Sequence, residues 1–149
     1  MDRLLIKIDP VVVLSVPTAP ARPGDAGLDL LNAGPSVAIQ VGETVQIPCG
    51  IRVKIPTGHF GMITGRSSTF SKKGVLVPTS IIDEGYVGPL YVVAHNPGVR
   101  TLGSTRDVRV EMGERIAQLV IIPYHRVEPV VVDELPETER GSNGFGSTG

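Results

Sequence analysis

Asp83 ends the apolar run Ser80, Ile81, Ile82, and Glu84 and Gly85 follow it, then Tyr86, Gly88 and a second apolar run from Leu90. A carboxylate beside an aromatic ring can serve as a base next to a flat ligand. The same residues also suit a turn in which Asp83 caps its own backbone and Tyr86 is half core. Residue types alone leave both readings open. Residues 77–91 read as a β-hairpin, two β-branched and aromatic-rich strands around a Gly-containing turn.

Gly65, Arg66, Ser67 and Ser68 bring a guanidinium, two hydroxyls and backbone N–H groups to one short stretch. All of these donate well to phosphate oxygens. A solvated turn with a capping serine is the competing reading. Near the C-terminus, residues 144–149 spell G-x-G-x-x-G. A dinucleotide fold is rejected, because that motif needs a strand before it and a helix after it. Arg140, Ser147, Thr148 and the glycine amides, Gly146 among them, could still wrap a polyphosphate, and Phe145 offers a stacking face. His59, His95 and His125 lie far apart without companions at ligand spacing, so no zinc site is expected. Ser67 and Ser68 lack a nucleophile-elbow context.

The elements that must position these residues follow from composition and period. The 149 residues suit one domain. With 18 Gly, 13 Pro and no Trp, the chain favours short strands and tight turns over helices. The net charge of −1 provides no positive stripe for nucleic acid. Cys49 is the sole cysteine and is expected to fill core. No segment has the length or layout of a membrane span or signal peptide, so a soluble, cytoplasmic protein is expected.

Strands are expected at residues 3–8, 11–16, 28–31, 37–41, 44–47, 50–55, 59–64, 108–111 and within 113–124, besides the two of the hairpin. A short helix is expected within 65–73, capped by Ser67 or Ser68. The fold class is therefore all-β: a jelly-roll-like sandwich or barrel with at most one short helix. Residues 126–132 close the ordered part. Residues 134–149 form a polar, glycine-rich C-terminal arm of the single domain 1–149.

Taken in order, five stretches resemble the trimeric deoxyuridine triphosphatase (dUTPase) family: AGLDL at 26–30, GRSS at 65–68, SIIDEGYVG at 80–88, GERIAQLVI at 113–121 and RGSNGFGSTG at 140–149. The resemblance implies a jelly-roll-like subunit and a homotrimer whose active sites are shared between subunits, each closed by a C-terminal arm. It implies hydrolysis of dUTP to dUMP and pyrophosphate, with Mg²⁺ held mainly by the substrate phosphates and by no direct protein ligand. Such an activity limits uracil incorporation into DNA and supplies dUMP for thymidylate synthesis.

Carried residue by residue, the resemblance makes Asp83 the base that activates or orients water against the α-phosphorus. Tyr86 lies against the deoxyribose and leaves no room for a 2′-hydroxyl. Arg66 steadies the site acid or the phosphate oxygens, and Ser67, Ser68 and Gln118 serve the phosphates. Arg140, Gly146, Ser147 and Thr148 hold the phosphate end, and Phe145 stacks on the base. Asp29 supports the site. Val77, Ser80, Val87 and Asn143 depart from the family pattern, which usually has Asn in several bacterial members, then Gly, Arg and Gly. Base reading is accordingly expected to lean on backbone groups.

Two readings rival this one. The related dCTP deaminases also carry GRSS, but their catalytic Glu falls where this chain has Val93. A non-enzymatic, regulatory binding protein is the other, and the intact Asp83, Tyr86 and closing tail speak against an idle site.

Overall fold

The computed structural model describes residues 3–98, 107–139 and 141. Nine strands and one helix are found among them: β1 (Leu5–Ile8), β2 (Gly27–Leu31), β3 (Val37–Ile39), β4 (Thr44–Lys54), β5 (His59–Gly65), α1 (Ser67–Lys73), β6 (Ser80–Ile82), β7 (Pro89–His95), β8 (Val108–Val110) and β9 (Arg115–Pro123). They form three sheets, ordered β1-β4-β7, β2-β9-β5-β6 and β3-β8, and their strands pair antiparallel throughout the described residues. This is the expected all-β, jelly-roll-like architecture with one short helix.

Alternation decides which side chains enter the core. On β4, Ile47, Cys49, Ile51 and Val53 are buried, while Arg52 and Lys54 face outward. Leu90, Val92 and Ala94 of β7 continue that inner face. Leu28 and Leu30 of β2, Ile63 of β5 and Ala117 and Leu119 of β9 supply the opposite one. Packing is tight around Gly61 of β5, where a Cβ would sit 3.0 Å from Leu119 of the neighbouring strand β9 and 3.1 Å from Ile55, just past the end of β4 in the other sheet. Cys49 is core filler as expected: burial pushes its thiol up to about 12.

Three expectations are corrected. Residues 11–16 are not a strand. The β1–β4 ladder ends at Ile8 opposite Ile51, Pro10 follows without an N–H, and Val12 N donates to Asp9 O at 3.0 Å. The segment leaves the sheet edge there, and only Val16 becomes fully buried. Residues 44–55 are not two strands split by Pro48. β4 runs through, because Gly50 takes φ +70° and absorbs the irregularity between Pro48 and Arg52. A Cβ on Gly50 would meet Ala33 and Val12 at 2.7 Å, so glycine is demanded twice over.

The third correction concerns residues 77–91. β6 and β7 do not pair with each other. β6 is the edge strand beside β5, and β7 is the edge strand beside β4 in the other sheet. A two-residue hairpin needs a primed turn with positive φ, which matches the twist of paired strands. Tyr86 N does donate to Asp83 O at 3.0 Å, so the turn exists, but Gly85 does not take the left-handed region. The strands therefore splay into an arch between the two sheets.

Beyond β9, residues 124–139 carry no strand or helix. Val127, Val130, Val131 and Leu135 are 73–100% exposed there. Among the described residues no helix is long and apolar enough to cross a membrane.

Candidate active site

The arch opens a cleft of about 260 Å³, lined by Ile81, Ile82, Asp83, Tyr86, Pro89, Leu90 and Tyr91. Its walls are the facing edges of β6 and β7. Neither strand offers the other a ladder, so backbone donors and acceptors are exposed to the cleft. Asp83 stands at the mouth. Its carboxylate is exposed and has no hydrogen-bond or ion-pair partner among the described residues.

The Tyr86 ring lies across the base of the arch. Its hydroxyl donates to Pro89 O at 2.8 Å. Gly88 makes room for it: a Cβ there would lie 2.6 Å from Tyr86 Cζ, closer than any real contact. Val77 does not line the cleft. It is buried and packs at Gly65, whose Cβ would approach it at 3.3 Å. Ser80 pairs with Ile63 at the start of β6.

A second pocket, about 250 Å³, gathers Asp25, Gly27, Asp29, Arg66 and Gln118 with Ala21 and Ala26. The sheet sets them side by side, because Asp29 of β2 faces Gln118 of β9, which faces Thr64 of β5. Arg66 follows directly after β5. Arg66 Nε reaches Asp29 Oδ1 at 3.1 Å, and Arg115 Nη1 reaches Asp29 Oδ2 at 3.1 Å. Asp29 thus holds two guanidiniums at once, with its own side chain only 13% exposed. Gly27 admits the Gln118 side chain, since a Cβ there would lie 2.6 Å from Gln118 Oε1.

The expected helix cap is corrected. Arg66, not Ser67 or Ser68, holds the N-cap position of α1, and no side chain caps it. Ser67 and Ser68 open the helix instead. The Ser67 hydroxyl is exposed and has no partner among the described residues.

The two pockets share no residue. Carried one position past the β5–β6 register, in which Ile82 pairs with Gly61, Asp83 falls level with Phe60, six positions before Arg66. At about 3.3 Å per residue this separates Asp83 from Arg66 by roughly 20 Å of sheet. Arg140, Phe145, Gly146, Ser147 and Thr148 lie outside the described residues.

Three residues at these sites were given no role from sequence. Arg115 sits inside the fourth motif, and only the β2–β9 register brings it to Asp29. Tyr91 lines the cleft because β7 turns its odd positions outward. Glu84 accepts from Arg126 Nη2 at 3.0 and 3.1 Å, from Gly58 N at 2.9 Å and from Tyr124 Oη at 3.2 Å. The Gly58 amide and the Arg126 guanidinium hold its carboxyl below the ordinary value.

The dUTPase family model matches residues 15–149. The deoxyuridine 5′-triphosphate nucleotidohydrolase of Hydrogenobaculum sp. is 41% identical over 131 residues, covering 87% of each chain. A variant dUTPase of Staphylococcus bacteriophage 80alpha, solved with dUpNHpp, superposes with a TM-score of 0.88 at 30% identity, covering 100% of this chain and 99% of that one. A mutant dUTPase of phage phi11 of S. aureus, described with a structural Mg(II) ion, superposes with a TM-score of 0.76 at 25% identity, covering 89% of this chain and 98% of that one.

Proposed function

The chain belongs to the dUTPase family, and from that premise we propose that it hydrolyses dUTP to dUMP and pyrophosphate with water delivered from Asp83. The observation that carries this reading is the arch. Two strand edges without a ladder face each other, with an unpartnered carboxylate at their mouth and a tyrosine ring across their base.

A uracil has a donor and acceptors along one edge, and a bare strand edge has the same kinds of group in alternation. The base inserts between β6 and β7 as a strand would and reads both. The narrowness of the arch rejects the methyl of thymine. Reading by backbone suits a chain whose Val77 is buried away from the cleft. Tyr86 lies against the deoxyribose, where its fixed ring leaves no space for a 2′-hydroxyl.

Asp83 orients a water and accepts its proton as the water oxygen attacks the α-phosphorus. The bond from that phosphorus to the bridging oxygen breaks, and pyrophosphate leaves. Catalysis rests mainly on positioning and charge neutralisation. Arg66, Ser67, Ser68 and Gln118 donate to the phosphate chain. Asp29 aims Arg66 and Arg115 rather than binding substrate.

The roughly 20 Å of sheet between Asp83 and Arg66 bears on assembly. One subunit does not bring its own phosphate donors to its own base cleft. A homotrimer supplies them, with the arch from one subunit, the Arg66 pocket from a second, and the arm of residues 134–149 closing over both. Arg140, Phe145, Gly146, Ser147 and Thr148 belong to that arm.

Mg²⁺ would be held by the triphosphate rather than by side chains of this chain, and there it would supply charge neutralisation. Among the described residues no three His, Cys, Asp or Glu side chains converge, and Asp29 is already engaged by two arginines. Phosphate oxygens are the hard donors this ion prefers. We place the protein in the cytoplasm, with free nucleotides.

One nucleotide panel tests the reading. dUTP, dCTP, dTTP and UTP are followed for pyrophosphate and ammonia, with and without Mg²⁺. Rapid pyrophosphate release from dUTP alone is expected. Ammonia from dCTP, or comparable kcat/KM for any competitor, would overturn it.

A further inference from the structure

We propose that Glu84 is a positioning residue that fixes the Asp83 turn and fastens it to the root of the C-terminal arm, a proposal resting on the reading of Asp83 as the residue that holds the attacking water. Asp83 and Glu84 are adjacent acids with opposite surroundings. Asp83 faces solvent without a partner, whereas the Glu84 side chain is 19% exposed and fully engaged.

Three distant segments converge on Glu84. Gly58, in the β4–β5 turn, donates its amide at 2.9 Å. Tyr124 and Arg126, just past β9, donate at 3.2 Å and at 3.0 and 3.1 Å. Lys54, at the end of β4, donates its ammonium to the Glu84 carbonyl at 2.9 Å. The donors also hold one another. Tyr124 N donates to Gly58 O at 3.0 Å, and the Tyr124 ring meets Phe60 edge-on with centroids 6.3 Å apart. Glu84 therefore docks into a frame that exists without it.

The turn itself has one internal hydrogen bond, from Tyr86 N to Asp83 O. The Tyr86 hydroxyl adds a bond to Pro89 O, but neither bond ties the six-residue connection 83–88 to the rest of the fold. Charge-assisted bonds to the Glu84 carboxylate supply the missing restraint. The Asp83–Glu84 peptide is planar and stiff, so shifting Glu84 shifts the Asp83 Cα. A misplacement of about 1 Å can cost on the order of 100-fold in rate. Arg126 sits on the segment that leads into the C-terminal arm. Through Glu84 the departure of the arm and the pose of Asp83 form one unit.

The test is steady-state kinetics on full-length Glu84→Ala, Glu84→Gln, Arg126→Met, the double variant Glu84→Ala with Arg126→Met, and Asp83→Asn. Glu84→Ala is expected to lose kcat by about 10- to 100-fold with KM within about twofold, because Glu84 does not line the cleft and the β6 and β7 residues that do are held by their own sheets. Glu84→Gln keeps an acceptor for Gly58 and Tyr124 and should recover most of that loss. Arg126→Met should lower kcat severalfold alone and add little in the Glu84→Ala background. Should Glu84→Ala fail to fold, Glu84→Gln and Arg126→Met decide by the same kcat-against-KM split. Wild-type kcat in Glu84→Ala, a loss confined to KM, or fully additive effects would overturn the proposal while an inactive Asp83→Asn keeps the underlying reading. An active Asp83→Asn would overturn both.

Discussion

The Tyr86 hydroxyl donates to the Pro89 carbonyl at 2.8 Å, fastening the ring across the base of the arch. Ring and arch are one unit only because Gly88 lacks a Cβ. Gly88→Ala should displace the ring and admit a 2′-hydroxyl. We expect the preference of kcat/KM for dUTP over UTP to fall at least about tenfold, with Tyr86→Phe giving a smaller loss because the ring stays. Competition assays with the two nucleotides measure it; an unchanged ratio in Gly88→Ala would remove Tyr86 as the sugar gate.

Asp83→Asn keeps the shape of the turn, since the Asp83 contact within it is made by the carbonyl. Thermal unfolding should match wild type. Turnover of dUTP should fall by about 10²- to 10⁴-fold, the usual range for a lost general base. A pyrophosphate assay beside a melting curve separates the two, and near-native turnover would refute the assignment.

Asp29→Ala leaves Arg66 and Arg115 facing each other without their shared carboxylate. Both arginines keep solvent access, so the stability cost is held to about 1–2 kcal/mol. Denaturant midpoints read that cost. KM for dUTP should rise as Arg66 loses its aim, and an unaltered KM would make the trio purely structural.

Deleting residues 140–149 should leave the assembly intact and abolish most catalysis, because on the proposed reading closure by these residues excludes bulk water. Sedimentation and a pyrophosphate assay on the same sample decide. Full activity would contradict closure, and a monomer would show that these residues build the assembly instead.

Acid should loosen the Asp83 turn through Glu84. Its folded-state pKa is lowered from the ordinary 4.5 by the Gly58 amide first and then by Arg126. A depressed carboxyl stabilises the fold above the unfolded value, and that contribution is lost as pH falls through the folded one. Urea midpoints taken downward from about pH 5 should therefore fall more steeply in wild type than in Glu84→Gln. Parallel curves would mean that Glu84 carries no linkage.

Much of this was legible in the residues. The alternation of Ile51, Val53 and Ile55 named the buried face of β4, and the glycine and proline punctuation named an all-β fold. The motif around Asp83 and the GRSS stretch marked both pockets. Residues 11–16 read as a strand because an apolar run suggests a sheet position, yet Val11 and Val13 stay exposed, and Pro10 removes the donor that the ladder would have needed next. Pro48 looked like a break because Gly50, two residues on, gave no sign of the left-handed bend that carries β4 past it.

What the sequence determined by itself was local: which residues face inward, where the chain turns, and which side chains carry chemistry in which order. Period and turn chemistry act over a few residues, so they can be read directly. What only the tertiary structure decided was partnership. β6 and β7 look like a hairpin and belong to different sheets, which leaves an open cleft where a ladder was expected. Asp29 meets Arg115 across 86 positions, and Glu84 meets Arg126 across 42. A strand edge or a carboxylate will accept any suitable donor, and long-range packing of the whole chain selects which one arrives.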